Sequence, residues 1–367
     1  MKNEERIVYT DILRIIALFA VILLHVAQHK WHEAPVHSFD WQIFNLYNAF
    51  VRWAVPVFVM ISGIFMLAPS DTIDDYKEYY EKSYKRILKK NIFRIFCAIV
   101  FWGLIYNLFF YACGFIFKHK MFSVNDLLSI PVKIIFGPPW YHLWFLYMLC
   151  GLYILTPLIR VFVKNCRKEG LEIFIIMFFI FGNCMPLFNY ILPLLTKMSA
   201  LQFYFPLSEM SGFLGYYIAG YYFANYEINK RTRIWLYISA LFSIAFTMIG
   251  TSLISCNKNK PEEFLYGSLL PNALFVAFSI FILAKRHFSI FQFSEKTKRK
   301  ISFIGKCTFG MYLVHDLFLQ IFWMLGFHTL LFNPLFCVPV IAILVMILSF
   351  FVSVVINKIP FLNKYIA

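Results

Sequence analysis

Charge is what this chain has least of. Asp, Glu, Lys and Arg together make up 14% of its 367 residues, where an ordinary soluble domain carries about 25%. So few charged side chains could not cover the 61% that are hydrophobic, among them 45 Phe and 22 Tyr. That shortage excludes a cytosolic enzyme, a secreted globular domain and a disordered chain. Paired cysteine motifs are missing as well. The eight cysteines lie singly, mostly inside apolar runs, so neither a zinc site nor a disulfide framework is expected. They read as small core residues. No fixed-period repeat, no low-complexity tract and no soluble basic module stands out, and with no such module the net charge of +15 does not point to nucleic acid.

What remains is a series of long apolar stretches. Ten can be marked, at roughly 9–28, 48–68, 92–113, 141–163, 171–189, 211–226, 233–253, 267–285, 303–326 and 335–356, the sixth with a start that extends toward Tyr204. Each approaches the length of about 20 residues that crosses a bilayer as a helix. The first is a retained anchor rather than a cleaved signal. It is long, it holds Asp11 and Arg14, and no small-residue cleavage site follows His25. Numbering the connections alternately in and out puts 26 of the 34 Lys and Arg on the side of the N-terminus. Cytoplasmic connections collect such residues. The expectation is therefore an all-α integral membrane protein, a bundle of about ten transmembrane helices with both termini cytoplasmic, forming one domain over 1–367. Segment 69–90 reads as a mixed-charge helix along the inner surface. Segment 189–210, with Pro193 and Pro206, reads as an outer loop.

Ionisable groups inside a span are costly and usually face a cavity or a partner. The first stretch has three. Arg14 and His25 are eleven residues apart, which brings them to within about 20° of one another on a helix while separating them by about 16 Å along its axis. Asp11 lies about 60° from Arg14 and is placed to pair with it. One helix face thus carries a cation at one end and a titratable base at the other. The bland alternative is a snorkelling ion pair and a histidine bonded to the backbone. His29 follows His25 at metal-binding spacing, but no further ligand pattern joins them and no metal is expected. Arg86, Arg94 and Arg160 sit near span ends on the side of the N-terminus, and arginine suits bidentate phosphate contacts. On the other side His142 and Trp144 open the fourth stretch, where Trp also serves as an interface anchor. Tyr312, His315 and Asp316 occur in the ninth, with His315 at about the depth of His25. Ser62-Gly63 permits close helix contact, and Pro56 and Pro157 are candidate helix breaks.

These residues resemble the acyltransferase 3 family of membrane-bound acyltransferases. YTDILRIIALFAVILLH (9–25) is similar to its opening motif, with Asp11, Arg14 and His25 in place. VPVFVMISGIFML (55–67), HLWFLYMLCGLYILTPLIR (142–160) and GKCTFGMYLVH (305–315) resemble later motifs. RIFCAIVFWGLIY (94–106) does too, except that Cys97 or Ala98 stands where proline is common. The likeness covers about residues 7–356. It implies a ten-helix bundle in the inner membrane of a bacterium, passing an acyl group, usually acetyl from acetyl-CoA, to a hydroxyl of an extracytoplasmic glycan or lipid-linked sugar. The chain shows no hydrolase-like addition, so the stand-alone type is expected. Arg14 and His25 carry over as the essential pair. The position after the late histidine varies in the family, so the resemblance places little on Asp316.

The chemistry is consistent with that map. An acyl-CoA made in the cytosol would need cations at the inner edge, from Arg14, Arg86, Arg94 and Arg160. Its pantetheine arm would extend toward His25, with Asp11 fixing Arg14. A hydroxyl is a poor nucleophile near neutral pH, and a histidine can take its proton as attack begins. Tyr312 and His142 are candidate donors to the oxyanion. Trp144 and His315 complete the expected acceptor site. Both direct transfer and an acyl-histidine intermediate remain open. The competing reading is a secondary transporter or polysaccharide exporter, which ten helices with buried charges would also suit. Paired broken helices in two corresponding halves would favour it, and none is visible.

Overall fold

The computed structural model describes residues 2–68, 76–118, 123–196 and 212–366. The protein is all-helical, with 84% of residues in helix and no strand among the described residues. Eight helical stretches there are long and apolar enough to cross a membrane. The first five, in chain order, begin with α1 (Lys2–Gln28), followed by the pair α2 (Phe39–Val51) and α3 (Ala54–Met66). Next comes α4 (Tyr76–Arg86), which runs through a π-helical turn, Ile87–Ile92, into α5 (Phe93–Lys118). Then α6 (Val124–Phe136) leads by a short 3-10 turn, Tyr141–Leu143, into α7 (Trp144–Asn165). After it α8 (Lys168–Met177) passes through a second π-helical segment into α9 (Met185–Thr196). The remaining helices are α10 (Leu214–Asn225), α11 (Lys230–Lys258), α12 (Pro271–Ile290), α13 (Glu295–Met324), α14 (Pro334–Lys358) and the short α15 (Pro360–Tyr365).

Two of the ten expected spans fall outside the eight. Over 211–226, only α10 lies among the described residues, and at 12 residues it is too short alone. The suggested start near Tyr204 lies outside the described residues. Over 303–326 the structure has a helix of ample length, the 30-residue α13. Its Lys306, His315 and Asp316 make it too polar to pass as a simple apolar span. Such residues survive inside a bundle when they face its interior, as the buried His315 and Asp316 do.

Other expectations need correction. Residues 189–196 are not loop: α9 runs to Thr196 with Pro193 inside it, while Pro206 lies outside the described residues. Pro157 does not break α7, which is continuous from Trp144 to Asn165. The break near Pro56 comes earlier, at Arg52–Trp53, so that proline occupies the first turn of α3, where a missing N–H costs nothing. Within segment 69–90 the described part, α4 and the turn after it, is helical as expected. Helix α6 was not anticipated. It starts with a capping box in which Ser123 and Asp126 satisfy one another's backbone N–H groups.

Lipid-facing and protein-facing surfaces are distinct. On α11, Leu241 and Phe242 are 71% and 70% exposed, and large apolar side chains also line the outer faces of α5 and α14. In water such surfaces would be sticky patches. Here they mark a multi-pass membrane protein. Helix α1 sits at the centre of the bundle, packed against α2, α3, α12, α13 and α14. That position buries Leu13, Ala17, Leu18 and Ile22 completely and turns the face holding Asp11, Arg14 and His25 inward.

Helices α3 and α10 touch backbone to backbone. A Cβ added at Gly63 would lie 1.9 Å from the Tyr217 carbonyl oxygen, and one at Gly220 would lie 2.0 Å from that of Met60. Small residues allow such approach between membrane helices. Gly220→Val is therefore expected to force the pair apart and destabilise the fold by about 1–3 kcal/mol, read as a lower melting temperature of the detergent-purified protein. An unchanged melting temperature would show that this contact is not tight.

Candidate active site

The inward face of α1 meets two separate arrangements of polar residues, one at each end. At the N-terminal end Asp11 and Arg14 form an ion pair of 3.0 Å. Asp11 is buried against α13, where a Cβ at Gly305 would come within 2.8 Å of its carboxyl carbon. Arg14 is more open, its side chain 29% exposed, with the guanidinium 4.7 Å above the Phe65 ring. It borders a cavity of about 940 Å³. Six cations line that cavity, Arg14, Lys89, Lys90, Arg94, Lys306 and Lys364, and among the described residues no carboxylate does. Even with Arg14 paired to Asp11, this excess of positive charge creates a field that attracts anions.

At the other end of α1 three histidines gather. The ring of His25 stacks on that of His315 at 5.4 Å, and His142 meets His315 edge-on at 5.0 Å. His315 Nδ1 lies 2.5 Å from the Tyr312 carbonyl oxygen. A carbonyl only accepts, so Nδ1 carries the proton and Nε2 keeps its lone pair. That Nε2 is buried without a hydrogen-bond partner among the described residues. His142 and His315 are themselves buried, whereas His25 is half-buried. Tyr312 joins the two arrangements: it lines the basic cavity, its hydroxyl donates to the His142 carbonyl oxygen, and its ring lies 5.5 Å from that of His142. His25 itself does not line the cavity.

The opposite side of the cluster is bordered by Tyr141. Tyr141 packs edge-on against His25 at 5.1 Å and is 46% exposed. Its hydroxyl nevertheless donates to Asp316, which is fully buried. Asp316 also accepts from the Trp140 indole N–H and, at 3.3 Å, from the Gln320 amide. Three neutral donors hold this carboxylate, and through it the turn that carries Trp140, Tyr141 and His142 is fixed to α13.

The structure divides the residues singled out from the sequence. His25, His142, Tyr312 and His315 come together, and Arg14 and Arg94 share the basic cavity, Arg94 with its guanidinium 5.4 Å from the Phe309 ring. Arg86 and Arg160 are not among the cavity's lining residues. Arg160 is buried, and its Nε donates over 2.5 Å to the carbonyl oxygen of Met66, the last residue of α3. It satisfies a helix end that would otherwise lack a partner. Arg86 is exposed on α4. Trp144 turns away from the histidines toward Phe213, 5.7 Å away. His29 parts from His25 and stacks on Trp323 at 3.6 Å. Burial there pushes its pKa down to about 4, so it is neutral at physiological pH. Among the described residues no group of three or more His, Cys, Asp or Glu is placed to hold a metal ion. Sequence reasoning passed over Trp140, Tyr141 and the cavity lysines. The only signal was PPWYHLW, whose aromatics also suit an interface belt.

Comparison with known proteins gives one match. The model of the acyltransferase 3 family, described as an acyltransferase domain, matches residues 7–358. No curated protein and no solved structure matches the chain.

Proposed function

The chain belongs to the acyltransferase 3 family, and from that premise we propose that it takes acetyl from cytosolic acetyl-CoA and transfers it to a hydroxyl of an extracytoplasmic glycan or lipid-linked sugar. The bundle would be oriented with both termini in the cytoplasm of a bacterial cell, crossing the inner membrane ten times. The observation that carries this reading is the pairing of a basic cavity, with no carboxylate among its described lining residues, at one end of α1 with a histidine cluster beside the exposed Tyr141 at the other.

The phosphates of the donor enter among Arg14, Lys89, Lys90, Arg94 and Lys306. Its acyl arm runs along the cavity toward Tyr312, which is the shared wall, and must pass it to reach the cluster. The acceptor approaches from the side of Tyr141. His25 removes the proton of the acceptor hydroxyl as its oxygen attacks the thioester carbonyl. The carbon–sulfur bond then breaks, and the departing thiolate takes that proton back from His25, giving an ester and free CoA. His142, whose two ring nitrogens are buried with no hydrogen-bond partner among the described residues, is the group with an N–H to offer the tetrahedral intermediate, while His315 Nε2, with its lone pair, can only accept from a substrate hydroxyl.

Detergent-purified protein, incubated with radiolabelled acetyl-CoA and a soluble form of the host glycan, is expected to move label onto the glycan. The transfer should be lost on mild alkaline hydrolysis, as an ester requires. Movement of unmodified glycan across vesicles, without label transfer, would instead support an exporter.

A further inference from the structure

Two elements close the basic end of the cavity. One is the π-helical turn Ile87–Ile92, which contributes Lys89, Lys90 and Asn91. Such turns are frequent at functional sites. The other is α15, which contributes Asn363, Lys364 and Tyr365. This second element lies beyond residue 358, where the family match ends, so nothing in the family resemblance assigns it a role.

Helix α15 is fastened in place. Its first residue is Pro360, suited to a helix start. Asn363 donates to the Asn357 carbonyl oxygen over 3.0 Å, bridging back to α14. Tyr365 meets Phe93 of α5 edge-on at 5.8 Å, and Ile366 is 5% exposed. With its backbone anchored on two sides, α15 leaves the Lys364 side chain exposed beside a cavity lined by five other cations and, among the described residues, no carboxylate. Like charges gathered around one concavity repel one another. Asp11 offsets part of that charge through Arg14, and a polyanion entering beside Lys89, Lys90 and Lys364 would offset more of it.

We propose that α15 is a clamp for the phosphorylated end of the acyl carrier. Lys364 holds phosphate from one side while Lys89 and Lys90 hold it from the other. The clamp rests on the acyl-CoA reading of the cavity and adds a specificity to it: the site distinguishes a carrier bearing phosphates from a short thioester lacking them.

The test uses the full chain in detergent, with Lys364→Ala and Lys364→Glu. Lys364 is exposed and its ammonium lies 4.8 Å from the ring of Tyr365 beside it, so either substitution removes one surface contact, whereas removing α15 altogether would uncover its buried contacts. A ligand that binds the folded state raises the melting temperature. Acetyl-CoA is expected to stabilise the natural protein. Lys364→Glu should weaken acetyl-CoA binding about tenfold, equivalent to about 1.4 kcal/mol, with Lys364→Ala in between. Acetyl-pantetheine, which has no nucleotide phosphates, should bind the three proteins alike. Micellar phosphatidylglycerol serves as the lipid control and should give no Lys364-dependent shift. If the natural protein is not stabilised by acetyl-CoA, the donor reading itself fails. If it is stabilised but Lys364→Glu binds acetyl-CoA equally well, or loses acetyl-pantetheine to the same degree, the clamp is overturned and the donor reading stands. A Lys364-dependent shift with the lipid and not with acetyl-CoA would assign α15 to the membrane surface and overturn the clamp.

Discussion

Replacing His25 with alanine is expected to lower transfer from acetyl-CoA to the glycan by roughly 10²–10⁴-fold, the contribution a positioned general base makes. Three histidines lie together, and geometry separates their roles. His315 has one nitrogen fixed on the Tyr312 carbonyl, and His142 is buried on a turn tied to α13. His25 is the half-buried member, and it packs against the exposed Tyr141. On the proposed reading it is the ring that an incoming hydroxyl would meet. Because it is only half-buried, its removal should cost less than the roughly 3–5 kcal/mol lost when a core aromatic is truncated. The bundle should therefore remain folded, with a melting temperature close to that of the natural protein. His25→Gln, which keeps polar atoms but cannot titrate, should be as inactive as His25→Ala. Initial rates with labelled acetyl-CoA, alongside melting curves, decide the matter. Transfer within a few-fold of normal by a folded His25→Ala protein would remove His25 as the base.

The periodic parts of this site were readable and the long-range parts were not. Arg14 and His25 sit on one helix, so the spacing alone puts them on one face, and the central packing of α1 turns that face inward. The matched depth of His25 and His315 was likewise a matter of rise per residue, and their rings do stack. Arginines near span ends gave no such guide. Arg94 reaches the cavity while Arg160 caps α3, because a long flexible side chain at a helix end serves whichever partner the fold supplies. The lysines of the cavity come from the π-helical turn, α13 and α15, which meet only in three dimensions. Asp316 looked incidental beside His315. Its importance lies in partners about 175 residues away, Trp140 and Tyr141, and no local pattern announces a contact of that range.

That contact leads to the second large effect. Asp316→Asn is expected to lower kcat by about 10²-fold while leaving the KM for acetyl-CoA nearly unchanged. Asp316 does not line the basic cavity, and its hydrogen bonds go to Trp140, Tyr141 and Gln320, so it acts as a positioning residue. One of its oxygens accepts from Tyr141, and the other accepts from Trp140 and Gln320. An asparagine offers one oxygen and one NH₂, and the NH₂ would face a donor. A buried donor left without an acceptor costs about 1–3 kcal/mol, enough to release the turn that carries Tyr141 and His142. A shift of about 1 Å in reacting groups can cost about 10²-fold in rate. Tyr141→Phe removes one of the three bonds and should cost less. Since the two residues act through one hydrogen bond, the double variant should be no worse than Asp316→Asn alone, a non-additivity expected of groups in direct contact. A merely structural role would lower the melting temperature and the amount of folded protein without this kcat-specific, non-additive pattern. Independent effects of the two substitutions, or a raised KM for acetyl-CoA, would separate Asp316 from the geometry around His25.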